Sequence, residues 1–320
     1  MTTQRAVTFL VNERAGSCFW GARAALVQAL DDFAERSSDP TVSVHRIADG
    51  EAFKHTVQAL VCQPHQTLVA VGGDGTVHHL ANQLVDTPAS LGVLPAGSGN
   101  DFASLLRHPK VSRFGGVDIE ALIQHFQSAP TRSVDVMHLH VLTPSGAQTL
   151  FGINSLGLGI EGTIAERIGR LSQWPGPTRY AVAALMELIA HQPRAFVIEP
   201  LDSTGKPDHC VSATERLLVS VGNGPRAGGG FVLNPKASIE DGLLDLCDVD
   251  AMPRWQQAYW LPQVYWGRHV RSSRVQLSQS KAWSIRCEAG SPLHVDGELI
   301  TDQAIQIVVS VRPRALQVVG

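Results

Sequence analysis

The stretch AVGGDGTVHHLANQL, residues 70–84, decides how the rest of the chain is read. An apolar run, Leu68–Val71, stops at two glycines. Asp74 follows, then Gly75 and Thr76, and apolar residues then recur at helical spacing. A strand that breaks into a glycine turn and resumes as a helix is the repeating unit of a parallel sheet covered by helices. Working outward, Ala6–Val11, Thr41–Ile47, Thr67–Val71 and Leu91–Leu94 read as strands. Gly21–Phe33, Glu51–Cys62 and Thr76–Leu84 read as helices. The order β-α-β-α-β-α-β predicts an α/β N-terminal domain with a parallel sheet, residues 1–132.

Beyond Arg132 the pattern changes. Val134–Leu142 and Gln148–Ile153 flank TPSGA, a hairpin turn. Leu158–Leu171 and Arg179–His191 have helical spacing. Strand-like segments then dominate: Ala195–Ile198, Arg216–Val221, Leu244–Val249, Arg274–Leu277, Trp283–Cys287, Leu293–Val295 and Ala304–Val311. Residues 133–311 are therefore expected to form a second, mainly antiparallel β domain.

With 320 residues, 44% hydrophobic and 17% charged, the chain is long enough and apolar enough for two cored domains. A formal net charge of −3 excludes a general nucleic-acid binder. The N-terminal apolar run is too short for a signal peptide, and no run reaches the roughly 18 apolar residues of a spanning helix. Five scattered cysteines without CxxC spacing suit buried thiols in a reducing cytoplasm.

In a parallel sheet, ligands bind beyond the carboxyl ends of the strands. Two glycine turns stand there, GGDGT after the third strand and PAGSGNDF, residues 95–102, after the fourth. Each leads toward a helix-like segment, so both can offer backbone N–H groups to one anion, with Thr76 and Ser98 adding hydroxyls. Glycines also close ordinary turns, but a pair on successive strands favours the anion. Neither turn fits GxxxxGK[ST] or GxGxxG. An aspartate beside phosphate needs a cation between them, which suggests Mg²⁺ at Asp74. The alternative is a helix-capping role for Asp74.

LHVDGELI places Asp296 and Glu298 two residues apart, on one face if the segment is a strand, or in a hairpin turn as Asp-Gly often is. Asp241 in SIEDGLLDL is a second Asp-Gly. His138 and His140 share a strand face without a third metal ligand nearby. Residues 253–271 hold three of the six tryptophans and two of the three tyrosines, with Arg254, Arg268 and Arg271. Such a segment suits a membrane interface or a packed core, and Pro262 argues against one continuous helix. Tyr180–Ala190 suits an acyl pocket wall or packing against the sheet.

VGGDGT followed by LGVLPAGSGNDFA resembles the catalytic domain of the diacylglycerol, sphingosine and ceramide kinase family, particularly its soluble bacterial members. VNERAG, FGINSLGLGIEGTIAE, SVGNGPRAGGGFVLNPKASIEDGLLDL and HVDGE extend the resemblance over nearly the whole chain. GGDGT alone is shared with NAD kinases. The resemblance implies an ATP-binding α/β domain, a β-sandwich-like second domain, an active site in the cleft between them, and return of residues 312–320 to the first domain. It implies nucleotide contacts from Asn12, Gly72, Gly73, Asp74, Gly75, Thr76, Gly97, Ser98, Gly99, Asn100 and Asp101. It makes Glu298 the base that deprotonates the acceptor, with Asp296 in support and Asp74 the other acid available. It implies a structural Mg²⁺ at Asp241 with main-chain carbonyls near Ser238 and Leu243. The chain departs from the family at Glu13, where proline is usual, at His45–Arg46–Ile47, where a threonine is missing, at Ser98 for threonine, and at His78–His79 for an Asn-Glu pair.

The expected activity is ATP- and Mg²⁺-dependent phosphorylation of a hydroxyl on a membrane lipid. The expected protein is cytoplasmic, touches the membrane peripherally, allows a homodimer and binds no nucleic acid. The alternatives are an NAD kinase and a non-catalytic nucleotide- or lipid-binding regulator.

Overall fold

The computed structural model describes residues 5–13, 20–37, 39–47, 50–63, 65–97, 99–107, 118–171, 176–202, 204–207 and 212–320. Side chains of 20–23, 176–181 and 288–289 are excepted. The chain divides into two compact units, Met1–Val134 with Arg314–Gly320, and Asp135–Pro313.

The first unit runs β1 (Ala6–Asn12), α1 (Trp20–Arg36), β2 (Val42–Ile47), α2 (Gly50–Leu60), β3 (Gln66–Gly72), α3 (Asp74–Leu84), β4 (Ser90–Pro95) and α4 (Ile119–Ser128). β1 lies between β2 and β3, and β3 pairs β4, all in parallel. Every residue of β3 is buried, as expected for a central strand covered on both faces. Phe9, Leu26, Leu30 and Phe126 fill the core on one side of the sheet. Phe126 sits so close to Gly92 of β4 that a Cβ there would stand 2.8 Å from its ring.

Next come β5 (Thr131–Thr143), β6 (Gly146–Gly152), β7 (Ser155–Gly159), α5 (Ile160–Arg170), α6 (Gly176–Ala190), β8 (Arg194–Pro200), β9 (Thr214–Gly222), β10 (Arg226–Ala227), β11 (Phe231–Val232) and β12 (Leu244–Asp250). α7 (Arg254–Val264), β13 (Val275–Ser280), β14 (Ala282–Val295) and β15 (Glu298–Val319) complete the chain. Within the second unit the antiparallel order is β13-β12-β9-β7-β14-β15, with β8 on β14 and β9 and a β5–β6 hairpin. Leu139, Leu158, Phe196, Trp283 and Ile307 anchor its core. The last residues of β15 belong to the first unit, where Gln317 and Val318 pair with β4 in parallel. The fold is thus an α/β parallel-sheet unit and a mainly antiparallel, β-sandwich-like unit.

Three local expectations are corrected. The helix expected from Leu158 starts at Ile160, because Ser155–Gly159 is a strand hydrogen-bonded on both sides, ended by Gly159 at φ +69. Residues 253–271 are not one continuous helix, as expected, but the break comes after Pro262: the proline sits in the last turn of α7, which ends at Val264, and a 3-10 turn follows at Arg268–Arg271. Trp283–Cys287 and Leu293–Val295 are one strand, β14, whose register shifts between them mark irregular pairing.

Candidate active site

In the first unit β3 and β4 end side by side, with Gly72 opposite Pro95. The two glycine turns therefore leave the sheet together. The Ala96 N–H donates to the Gly72 carbonyl at 2.8 Å. A Cβ on Gly97 would stand 2.4 Å from the Gly73 Cα, so the turns touch backbone to backbone. A Cβ on Gly72 would stand 2.3 Å from Thr76 Oγ1. Both glycines are required by close approach.

Asp74 is the first residue of α3, behind Gly73 as N-cap. Its Oδ2 accepts the Asn100 N–H at 2.7 Å and its Oδ1 the Asp101 N–H at 2.8 Å. The aspartate of the first turn thus fastens the second. Asn100, at φ +56, completes that turn by accepting the Gly97 N–H on Oδ1 and donating Nδ2–H to the Gly97 carbonyl. Asn12 at the end of β1 donates Nδ2–H to Thr76 Oγ1 at 2.9 Å. Asn12, Gly72, Gly73, Asp74, Thr76, Gly97, Asn100 and Asp101 are thereby brought together. Gly75 lies in the first turn of α3, Gly99 is partly buried between Gly97 and Asn100, and Ser98 lies outside the described residues. Beside Asn12 and Thr76 opens a depression of mixed character, lined by Ile47 and Phe53 as well as Lys54, His79, Asn82 and Gln83. The sequence reading did not single out Lys54. Its only signal was a cation on the helix preceding β3.

In the second unit Asp296 and Gly297 form the two-residue turn between β14 and β15, at φ +53 and +87, and Val295 pairs with Glu298. This corrects the expectation that Asp296 and Glu298 share a strand face, because an Asp-Gly with two positive φ values closes a hairpin. Asp296 is buried, and its carboxylate accepts the N–H groups of Ile153, Asn154 and Ser155 at 2.9, 2.8 and 3.0 Å. Glu298 is exposed. The structure therefore separates the two acids, one locked among backbone amides and one open.

A buried polar network continues from Asp296. The Asn154 carbonyl accepts the N–H groups of Asn223 and Gly224. Asn223 donates Nδ2–H to the carbonyls of Asp135 and Ile153 at 2.9 and 2.8 Å. The Asp135 carboxylate accepts the Gly242 N–H at 2.7 Å. Four sequence motifs far apart in the chain thus meet through Asn154, Asn223 and Asp135, which the sequence reading did not name as site residues. Their signal was a polar residue beside an apolar strand, which must find partners when buried.

Asp241 accepts the Leu243 N–H on Oδ1 at 3.0 Å, and Ser238 Oγ accepts the Glu240 N–H. Burial pushes the Asp245 carboxyl up, and the Asp241 charge adds to this after the Gln279 hydrogen bond has opposed it. Among the described residues, no three His, Cys, Asp or Glu side chains converge on one point. His138 and His140 do share a face, 4.6 Å between ring centroids, and His138 stacks on Phe151.

An apolar pocket of about 120 Å³, open to solvent, lies in the second unit. Ile160, Ile164 and Ile168 of α5, Ala184 of α6, Phe231, and Leu261 and Val264 of α7 form its walls. Glu161, His294 and Gly297 line it too, so the pocket reaches the Asp-Gly turn. Beside these helices Leu185, Met186 and Ile189 of α6, and Trp255, Tyr259, Tyr265 and Trp266 in and after α7, are exposed. Arg254, Arg268 and Arg271 are exposed with them. No helix among the described residues is long and apolar enough to cross a membrane.

Residues 6–139 match the diacylglycerol kinase catalytic domain, and residues 154–320 match the YegS C-terminal NAD kinase beta sandwich-like domain. The chain is 28% identical over 315 residues to "Diacylglycerol kinase" of Mycobacterium tuberculosis, covering 98% of this chain and 94% of the relative. It is 28% identical over 267 residues to "Probable lipid kinase YegS-like" of Xanthomonas oryzae pv. oryzae, covering 81% and 80%. Among solved structures, a diacylglycerol kinase from Bacillus anthracis superposes with a TM-score of 0.63 at 16% identity, covering 100% of this chain and 98% of that one. Yeast NADH kinase superposes with a TM-score of 0.55 at 14% identity, covering 100% and 84%.

Proposed function

The chain belongs to the diacylglycerol kinase and YegS-like family of lipid kinases, and from that membership we propose that it moves the γ-phosphoryl group of ATP to a hydroxyl of a membrane lipid. The observation that carries this reading is the pair of hydrogen bonds that the Asn100 and Asp101 amides donate to the Asp74 carboxylate, which join two glycine turns in one anion cradle. Backbone N–H groups and the start of α3 supply donors to the phosphates. The depression beside Asn12 and Thr76 takes the rest of the nucleotide, with Lys54 and His79 at its rim.

The acceptor lies in the second unit. The pocket takes an alkyl chain, and its lining at Gly297 delivers the hydroxyl toward Glu298. Exposed Glu298 takes the hydroxyl proton. Asp296 holds the turn, since its oxygens are engaged by three amides. The exposed aromatic rings and arginines around α7 dock on anionic lipid.

Magnesium, when bound with the triphosphate, neutralises charge on the transferring group. Asp74 is the carboxylate of the cradle that would hold such an ion. A second, structural Mg²⁺ would be held by Asp241 with the main-chain carbonyls of Ser238 and Leu243, oxygen donors of the kind that ion takes.

Transfer of labelled γ-phosphate to vesicles of fractionated lipid, with NAD as the competing acceptor, tests the reading. Label in lipid is expected. Label in NAD alone overturns it in favour of the NAD kinase alternative, and ATP binding without turnover on either favours a regulator.

A further inference from the structure

Glu161, at the start of α5, and His294, near the end of β14, meet inside the second unit. His294 Nε2 is 3.0 Å from Glu161 Oε1. The imidazole is 3% exposed, and both Glu161 oxygens are buried with no well-aligned hydrogen bond, so the imidazole edge is the contact left to the carboxylate. The pair occupies the space above Gly157, where a Cβ would stand 2.3 Å from Glu161 Oε2 and 2.4 Å from His294 Nε2. A third group completes the arrangement: the Gly297 N–H donates to His294 Nδ1 at 3.3 Å.

These contacts fix the tautomer. Nδ1 accepts from an amide, so it carries no proton, and the proton stands on Nε2, which faces Glu161 Oε1 at 3.0 Å. A carboxylate at Nε2–H makes Nδ1 a better acceptor, as carboxylates do for imidazoles that bind metals. Without Glu161 the buried ring loses its reason to keep the proton on Nε2. With the proton on Nδ1, two donors would face each other at Gly297.

We propose that Glu161 is a positioning residue for phosphoryl transfer: acting through His294 it holds the Gly297 amide, and so aims the turn that carries Glu298. The inference rests on the reading of Glu298 as the base. Glu161 touches neither the reacting hydroxyl nor the phosphate. It fixes the χ angles and proton position of His294, and His294 fixes one side of a turn whose other side is fastened by Asp296.

The test combines imidazole ¹⁵N shifts and Gly297 amide exchange with lipid kinase kinetics on the full chain. In the wild type the ¹⁵N shifts are expected to show protonation on Nε2 alone. Glu161→Leu should mix the tautomers, speed exchange at Gly297 and lower kcat about tenfold, with KM for lipid little changed. Glu161→Gln, which keeps an acceptor oxygen, should stay near wild type. In Glu161→Leu/His294→Asn the Asn Oδ1 takes the place of Nδ1 without needing a carboxylate, so kcat should recover relative to Glu161→Leu alone. An unchanged tautomer and unchanged Gly297 exchange in Glu161→Leu overturn the proposal. So does a loss of stability with kcat and KM changed together and no recovery in the double variant. A wild type that phosphorylates no lipid defeats the reading of Glu298, while the shifts and exchange rates still decide whether Glu161 holds Gly297 through His294.

Discussion

Gly97 lies against Gly73 so closely that a Cβ added to it would stand 2.4 Å from the Gly73 Cα. The glycines of the two turns are thus matched to each other before any nucleotide arrives. Gly97→Ala forces the turns apart or shifts β4, a type of overpacking that costs about 1–3 kcal/mol. A lower unfolding midpoint and loss of ATP binding by calorimetry are expected. Normal ATP affinity would show that the contact does not shape the cradle.

Asp74→Asn keeps the size of the side chain but leaves one acceptor oxygen for two N–H groups. Hydrogen bonds to charged groups contribute about 1.5–3 kcal/mol each, so the second turn loosens. KM for Mg·ATP is expected to rise while circular dichroism stays unchanged. Unaltered kinetics and an unaltered Mg²⁺ requirement would remove Asp74 from the site.

Glu298→Gln and Asp296→Asn should differ in kind. Loss of a base lowers turnover by about 10²–10⁴-fold, so Glu298→Gln is expected to lose kcat and keep its unfolding midpoint. Asp296→Asn turns an amide toward one of three backbone donors and leaves it unpaired, at a cost of about 1–3 kcal/mol. Stability should fall with it. Near-normal turnover in Glu298→Gln would place the base elsewhere.

Trp255 and Trp266 are 70% and 63% exposed, whereas Trp260 packs beside Ile160 and Met252. Replacing the first two with Ser is expected to weaken sedimentation with anionic vesicles and to leave stability within about 0.5 kcal/mol. Trp260→Ser should destabilise instead. Unchanged vesicle binding in the double variant would exclude this face from docking.

Burial lowers the His191 pKa from 6.5 to about 4, with Glu187 opposing and Arg194 assisting. Above pH 6.5 the ring is neutral in both states. Between 6.5 and about 4 the unfolded chain takes a proton that the native ring refuses, so stability falls as pH falls. Urea midpoints of the wild type should decline across that window, and those of His191→Gln should decline less. Parallel declines would show that His191 is not responsible.

The parallel unit was legible because β1, β3 and β4 are apolar runs closed by turns and β2 alternates as an edge strand does. What defeated the reading elsewhere was burial on two sides. Ser155–Gly159 is flanked by β9 and β14, so it lacks the alternation of a half-exposed strand and merges with the helix that follows. Asp296 and Glu298 were legible as residues but not as a geometry, since spacing alone leaves strand and hairpin both open. Lys54, Asn223 and the Glu161–His294 pair stayed out of sight for a different reason. Each acquires its meaning from a partner distant in sequence.

The parallel pairing of Gln317 and Val318 with β4 has a consequence for biosynthesis. β4 leaves the ribosome long before the residues that cover its edge. Until they arrive, the nascent first unit presents a row of unpaired N–H and C=O groups, the kind of edge that recruits foreign strands. The second unit is translated wholly within that interval. The unit that begins the chain is therefore the last to close, and its unfinished edge is where a chaperone would be needed.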